Sequence, residues 1–141
     1  MYRTTSHSKY SLKAHIVFIP KYRKKVLVGQ VGIYIRDQIR QICSKLDIII
    51  ESGKVSEDHV HLFLSYPPKL SISKIVQQIK GTSSYKIMLK NRILQNKHWG
   101  RSFWARGYLV VSSGNITDKI IKKYIDQQAG EDIKHGSIET D

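Results

Sequence analysis

The feature that most constrains the fold is the order of its short apolar segments. Residues 13–20 (KAHIVFIP) form a short run that is rich in β-branched residues and closed by proline, which predicts a strand. Over residues 31–46 the apolar residues recur at steps of three and four, which predicts a helix with one buried face. Residues 47–55 and 58–66 then predict two more strands, the second of which ends before two prolines.

The second half of the chain adds a helix, a strand and another helix. Residues 71–94 predict a long helix, in which Gly81 costs about 1 kcal/mol relative to alanine and would allow a kink. Residues 108–112 predict a fourth strand, and Asn115 is positioned to cap a last helix with Asp118 in its first turn.

This order, β-α-β-β-α-β plus a C-terminal helix, predicts an α+β, ferredoxin-like fold. We expect an antiparallel four-stranded sheet with the crossover helices on one face and strands one and three in the centre. An antiparallel sheet can leave its second face exposed, so we expect that face to be open.

The length and composition predict one domain over residues 1–141, because a chain of 141 residues buries enough surface to fold without disulfides. Five of the eleven acidic residues lie in the last 16 positions, and we expect 129–141 to be a poorly structured acidic tail. The only cysteine, Cys43, falls on the apolar stripe of the first helix and is predicted to be a buried thiol. With neither a signal-peptide pattern nor a membrane-length apolar run, we expect a cytoplasmic protein.

The charge of the chain predicts a polyanionic partner. Lysine and arginine number 24 against 11 acidic residues, giving a net charge of +13. Nucleic acid is the first candidate for such a field, although a basic protein without that partner remains an alternative. The segment 21–25 (KYRKK) directly follows strand one, where its basic residues could contact phosphates and its tyrosine could stack on a base.

Two histidines suggest a metal site. His59 and His61 stand two apart on strand three and therefore project from one face, whereas Val60, Leu62 and Leu64 project from the other. Two imidazoles on one rigid strand can converge on a divalent cation. Two surface histidines on a half-exposed strand remain the alternative, and spacing alone does not decide between them.

The last helix carries a tyrosine and a glutamine on one face. Tyr124 and Gln128 stand four apart, which would place a phenolic nucleophile beside a neutral amide oxygen. A tyrosine packed at the edge of the core is the alternative. The chain has eight tyrosines, and spacing alone does not single out Tyr124.

Five motifs occur in a diagnostic order: AHIVFIPKYRKKVL (14–27), DHVHLFLSYPP (58–68), IKGTSSY (79–85), FWARGYLVVSSG (103–114) and IIKKYIDQQ (120–128). Together they resemble the single-tyrosine HUH transposases of small bacterial insertion sequences. The resemblance covers about residues 10–128 and implies the same ferredoxin-like fold.

The resemblance implies a role for each site residue. His59 and His61 would bind a divalent metal, Mg²⁺ in the cell with Mn²⁺ as a substitute, and Tyr124 would be the nucleophile. In some members a glutamine one helical turn after the tyrosine completes the metal site, and here that residue would be Gln128; the neighbouring Gln127 points roughly 100° away on the helix. Members of the family are homodimers, and in several the tyrosine helix of one subunit completes the site of the other.

The resemblance also implies an activity: cleavage and rejoining of single-stranded DNA at insertion-sequence ends through a 5′-phosphotyrosine intermediate, with recognition of subterminal hairpins. Basic residues of the 21–25 segment and of the second long helix would hold the DNA, although a solvated charged face is the alternative for each. The candidates are Lys21, Tyr22, Arg23, Lys24, Lys25, Lys80, Lys86, Lys90 and Arg92.

Other functions remain to be weighed. A ferredoxin-like RNA-recognition domain would need an aromatic-rich third strand, and the open face of this one offers only Phe63 beside the two histidines. A domesticated relative that processes repeated genomic hairpins, or a copy that binds DNA without cleaving it, would keep the same motifs. Trp99 and Trp104 are expected to be packing residues rather than stacking platforms.

Overall fold

A computed structural model of the protein describes residues 2–90, 102–112 and 116–127. The chain begins with a small antiparallel hairpin, which the sequence pattern did not predict, and then enters a four-stranded antiparallel sheet in the order β4-β5-β3-β6. The strands are β1 (Arg3–Thr4), β2 (Lys9–Tyr10), β3 (Lys13–Phe18), β4 (Ile49–Ser56), β5 (His59–Ser65) and β6 (Leu109–Val111).

Within the described residues, three α-helices complete the order predicted from the sequence, and a short 3-10 helix (Lys21–Arg23) follows β3. They are α1 (Gly29–Lys45), α2 (Ile72–Lys90) and α3, which is described over residues 118–127. The α+β, ferredoxin-like prediction is confirmed, with β3 and β5 in the centre of the sheet. Helix α2 runs without interruption through Gly81. Residues 91–94 of the predicted helix, Trp99 and the predicted acidic tail lie outside the described residues.

One face of the sheet forms the main core. Ile16 and Phe18 of β3 pack with the even-numbered residues of β5 against α1 and α2, as the alternation predicts. Cys43 of α1 is buried in this core, and burial raises the pKa of its thiol to about 12, so it is protonated and unreactive. Trp104 packs edge-to-face on Phe18 with ring centroids 4.7 Å apart, which confirms its predicted packing role.

The other face is partly covered, contrary to the expectation of an open surface. Val17 and Ile19 point away from the main core and pack with Ala105 against Ile121 and Ile125 of α3. The helices therefore lie on both faces of the sheet: the two crossover helices on one, and α3 on the other. The sequence predicts an apolar face for the last helix from Ile116, Ile120 and Ile121, but it does not show which surface that face covers.

The start of α3 also differs from the prediction. The backbone N–H of Ile120 donates a hydrogen bond to the Thr117 hydroxyl at 3.3 Å, so Thr117 takes the capping position. Asn115, which was expected to cap the helix, lies outside the described residues. Across the described parts of the chain, the helices lack the length and apolar character needed to span a membrane.

Candidate active site

Strand β5 places His59 and His61 on the sheet face away from α1 and α2, where both are half-buried. In the paired register His61 lies between Val17 of β3 and Lys54 of β4, and His59 lies opposite Ser56 of β4. Because β5 is hydrogen-bonded on both sides, the positions of the two histidine backbones are fixed by the sheet. The predicted common face of the pair is confirmed.

Each histidine of the pair has a polar neighbour. The Nδ1 atom of His59 lies 3.0 Å from Oδ1 of Asp58, and the Nε2 atom of His61 lies 3.0 Å from Nδ1 of His15. Burial lowers the pKa of His61, the neighbouring His15 and His59 lower it further, and Asp118 acts in the opposite direction. A lowered pKa favours the neutral imidazole, which is the form that can donate a lone pair to a cation.

His15 is the site residue that sequence reasoning missed. It lies on β3 directly opposite Phe63, and the two rings stack with centroids 4.1 Å apart and planes 11° apart. His61 is its diagonal neighbour, at a spacing that long side chains can bridge. The register between β3 and β5 was needed to bring His15 to the pair, and a single sequence does not supply that register.

The histidine pair lies in a pocket of about 410 Å³ between the sheet and α3. Strands β4 and β5 form its floor, and α3 covers it. Basic and acidic side chains are mixed around its wall, so it suits neither a bare anion nor an apolar ligand. The lining residues are Arg23, Lys54, Ser56, Asp58, His59, His61, Asp118, Ile121, Lys122, Ile125 and Asp126.

Arg23 connects two walls of this pocket. Its Nη1 atom donates a hydrogen bond to Oδ1 of Asp126 at 2.9 Å, and its Nε atom lies 3.8 Å from Oδ2 of Asp58. Tyr22 and Arg23 have positive φ angles of 59° and 51°, a conformation that costs non-glycine residues of order 1–3 kcal/mol. The strained turn directs Arg23, one of the predicted phosphate contacts, to the histidine pocket.

Tyr124 lies on α3 but does not line the pocket. Its half-buried side chain packs against the smaller apolar cluster that contains Val17 and Ile121, and its hydroxyl oxygen is shielded from solvent. The structure thus brings the tyrosine helix to the histidine pair, and Tyr124 itself packs in the apolar cluster beside the pocket. Gln128, the predicted third ligand, lies outside the described residues. Within those residues, no group of three or more His, Cys, Asp or Glu side chains is arranged to hold a metal ion.

Among the predicted DNA contacts, Lys80 has a different place from the one expected. Its ammonium nitrogen lies 2.7 Å from both the Ala105 and Gly107 carbonyl oxygens, and burial lowers its pKa to about 8. Lys80 therefore anchors the segment that leads into β6, and its contact with DNA stays a prediction.

The remaining predicted contacts differ in exposure. Lys24 is exposed, Lys21 and Lys86 are half-buried, and Lys25 forms an exposed ion pair with Glu57 at 3.8 Å. Lys90 lies 4.4 Å above the Tyr34 ring. Arg92 lies outside the described residues.

Comparisons with known proteins agree with this architecture. The family model described as "Transposase IS200 like" matches residues 8–128. The transposase of insertion sequence IS200 from Salmonella typhimurium is 35% identical over 130 residues, covering 92% of this chain and 85% of the relative. The ISDra2 transposase TnpA from Deinococcus radiodurans is 34% identical over 119 residues, covering 84% and 85%.

Two solved structures have similar folds. A Deinococcus radiodurans protein described as a transposase has a TM-score of 0.82 and 30% identity, covering 91% of this chain and 98% of that one. A REP-associated tyrosine transposase bound to a REP hairpin has a TM-score of 0.57 and 15% identity, covering 94% and 75%, and shows likeness of fold alone. By the family match and these relatives, the chain belongs to the IS200-like transposase family.

Proposed function

We propose that the protein cuts and rejoins single-stranded DNA at insertion-sequence ends, with Tyr124 as the nucleophile and a divalent cation at His59, His61 and Gln128. The observation that carries this proposal is the histidine pair: two imidazoles on one rigid central strand, at the floor of a pocket covered by the helix that bears the tyrosine. Membership of a transposase family supplies the reaction class, which is DNA strand transfer.

The residues present fit a divalent cation. Asp58 lies at hydrogen-bond distance from the Nδ1 atom of His59, so His59 can keep a proton there and use its Nε2 lone pair for a metal. His59 and His61 would supply two nitrogens and Gln128 an amide oxygen, a mixed set that suits Mn²⁺ and admits Mg²⁺. When bound, the cation would polarise the non-bridging oxygens of the scissile phosphate.

The covalent step exchanges one phosphoester for another. The Tyr124 hydroxyl oxygen forms a bond to the phosphorus, the bond from phosphorus to the 3′ oxygen breaks, and the phenol proton is balanced by the one that the departing 3′ oxygen gains. The products are a 5′-phosphotyrosine link and a free 3′-hydroxyl. Attack by a 3′-hydroxyl on the link reverses these changes and rejoins DNA, so no nucleotide cofactor is consumed.

We propose that α3 shifts before the tyrosine attacks, because the Tyr124 hydroxyl is buried and Tyr124 is not among the residues that line the pocket. The contacts of α3 include a small apolar cluster with Val17 and Ile19 and the exposed ion pair between Arg23 and Asp126. DNA phosphates would compete with Asp126 for the Arg23 guanidinium. The released helix could enter the pocket of its own chain or that of the second subunit in a homodimer.

Hairpin DNA is the proposed substrate. The REP-associated relative with this fold was solved with a hairpin, and the net charge of +13 would attract the phosphate backbone of such a molecule. Lys54 and Lys122, which line the pocket, would add to the contacts from the 21–25 segment and from Lys86. Lys54, which the register places directly opposite His61, is not among the DNA contacts predicted from the sequence.

The test of the nucleophile uses hairpin-bearing single-stranded oligonucleotides with Mg²⁺ or Mn²⁺. We expect the wild-type protein to give a covalent protein–DNA band on a denaturing gel. Tyr124→Phe should remove the band while DNA binding survives, and the matched control Tyr85→Phe, at an exposed tyrosine on α2, should retain it. A band of unchanged intensity from Tyr124→Phe would exclude Tyr124 as the nucleophile.

The test of the metal ligands uses histidine variants. His59→Ala and His61→Ala should each abolish cation-dependent cleavage without unfolding the protein, because both side chains lie outside the main core. His7→Ala, at an exposed histidine in the N-terminal hairpin, is the control and should cleave normally. Full activity in either pocket variant would remove that histidine from the proposed metal site.

A further inference from the structure

His15 touches two residues of the pocket face but does not line the pocket. Its Nδ1 atom lies 3.0 Å from Nε2 of His61, and its ring is stacked on Phe63. The strand register fixes this arrangement, because His15 is paired with Phe63 across β3 and β5 and is diagonal to His61. Two rigid strands and a stacked ring thus hold an imidazole against the proposed metal ligand.

The chemistry of imidazole limits how these two rings can share a hydrogen. A neutral imidazole has one N–H and one nitrogen lone pair. If His15 donated its Nδ1–H, the Nε2 lone pair of His61 would be occupied and its Nδ1 would carry the hydrogen, leaving no lone pair for a cation. If His61 donates its Nε2–H to His15, the Nδ1 lone pair of His61 remains available.

We propose that His15 is a positioning residue for cation binding: its Nδ1 atom accepts the Nε2–H of His61, which fixes the ring and the tautomer of that ligand. The proposal rests on the proposed function only in treating His61 as a ligand. Asp58 lies 3.0 Å from one ring nitrogen of His59, and His15 lies 3.0 Å from one ring nitrogen of His61, so each neighbour can accept a hydrogen there and leave the other nitrogen of the ligand for a cation. Such partners fix ligand orientation, and their loss typically weakens metal affinity by about 10–100-fold.

Two substitutions separate the hydrogen bond from the stacking. His15→Phe keeps an aromatic ring against Phe63 and removes the acceptor, whereas His15→Asn places an amide oxygen near the position of Nδ1. We expect His15→Phe to weaken Mn²⁺ binding by about 10–100-fold, measured by electron paramagnetic resonance of free Mn²⁺. His15→Asn should bind Mn²⁺ close to the wild-type level, and thermal unfolding should show both variants to be folded.

Imidazole ¹⁵N chemical shifts provide a readout that does not depend on activity or on any variant. In the metal-free wild-type protein, we expect the hydrogen of His61 to reside on Nε2 and its Nδ1 to be unprotonated. In His15→Phe this preference should be lost. A wild-type His61 with its hydrogen on Nδ1 would overturn the proposal.

The outcomes distinguish this inference from the proposed function. Mn²⁺ binding that His61→Ala removes but His15→Phe leaves unchanged would overturn the role of His15 alone. Mn²⁺ binding that neither His59→Ala nor His61→Ala weakens would overturn the metal site, and the role of His15 with it. Weak binding in His15→Phe with recovery in His15→Asn would support the inference.

Discussion

The two faces of the sheet have different contents, although neighbouring residues of the same strands supply them. Ile16 and Phe18 point into a large apolar core beneath α1 and α2, whereas Val17 and Ile19 point toward α3 and a much smaller cluster. The histidine pair and its charged pocket lie on the second face. The comparison indicates that one face supplies most of the stability, which leaves the other free to hold polar groups and the helix whose shift we propose.

The comparison can be tested most strongly with two isoleucines three residues apart. Ile16→Ala should lower the free energy of unfolding by about 2–5 kcal/mol, because it leaves a cavity in the main core. Ile19→Ala, equally buried but packed in the smaller cluster beneath α3, should fall at the low end of that range because the helix can settle into the space. Chemical denaturation measures both, and equal losses would contradict the proposed difference between the faces.

A second test compares two lysines of α2. Lys80→Met should lower the free energy of unfolding by about 1–3 kcal/mol, because it leaves the carbonyls of Ala105 and Gly107 without their donor. Lys86→Met should leave the free energy of unfolding unchanged and weaken DNA binding. The slope of log affinity against log salt concentration should fall in magnitude by about one, because one phosphate contact is lost.

Denaturation and salt titration of DNA affinity measure the two effects separately. If Lys80→Met is as stable as the wild-type protein but binds DNA more weakly, Lys80 contacts DNA rather than stabilising the fold. Unchanged DNA binding in Lys86→Met would remove Lys86 from it.

The smallest expected effect concerns the start of α3. Thr117→Ala removes the hydroxyl that accepts a hydrogen bond from Ile120 and should destabilise the helix by about 0.5–2 kcal/mol. Because α3 packs in the smaller apolar cluster, the change should appear as faster amide hydrogen exchange in residues 118–127, with exchange in β5 unaffected. Faster exchange throughout β5 would show that α3 and the main core open as one unit.

The order of the elements could be predicted from the sequence, and so could the sheet face to which each β5 side chain points, because both follow from local periodicity. Alternation placed Val60 and Leu62 in the core and the two histidines on the other face, as observed. The contact between His15 and His61 could not be predicted, because it depends on a strand register set by the packing of the whole sheet.

Two further features also needed the three-dimensional structure. Lys80 was grouped with the DNA contacts because charge along a helix does not reveal which lysine has a carbonyl pair within reach. The apolar face of α3 was visible in the sequence, but the same face would suit either side of the sheet or a second subunit. Tertiary packing, and not the local sequence pattern, places α3 on the histidine side of the sheet.

The central claim is that Tyr124 becomes covalently joined to DNA, and peptide mapping of the adduct tests it most directly. Trypsin cleavage after Lys123 and Lys134 releases residues 124–134 (YIDQQAGEDIK), which contain one tyrosine and no serine or threonine. After digestion of the DNA with nuclease, mass spectrometry should find a nucleotide phosphate on this peptide. An adduct confined to any other peptide would contradict the account.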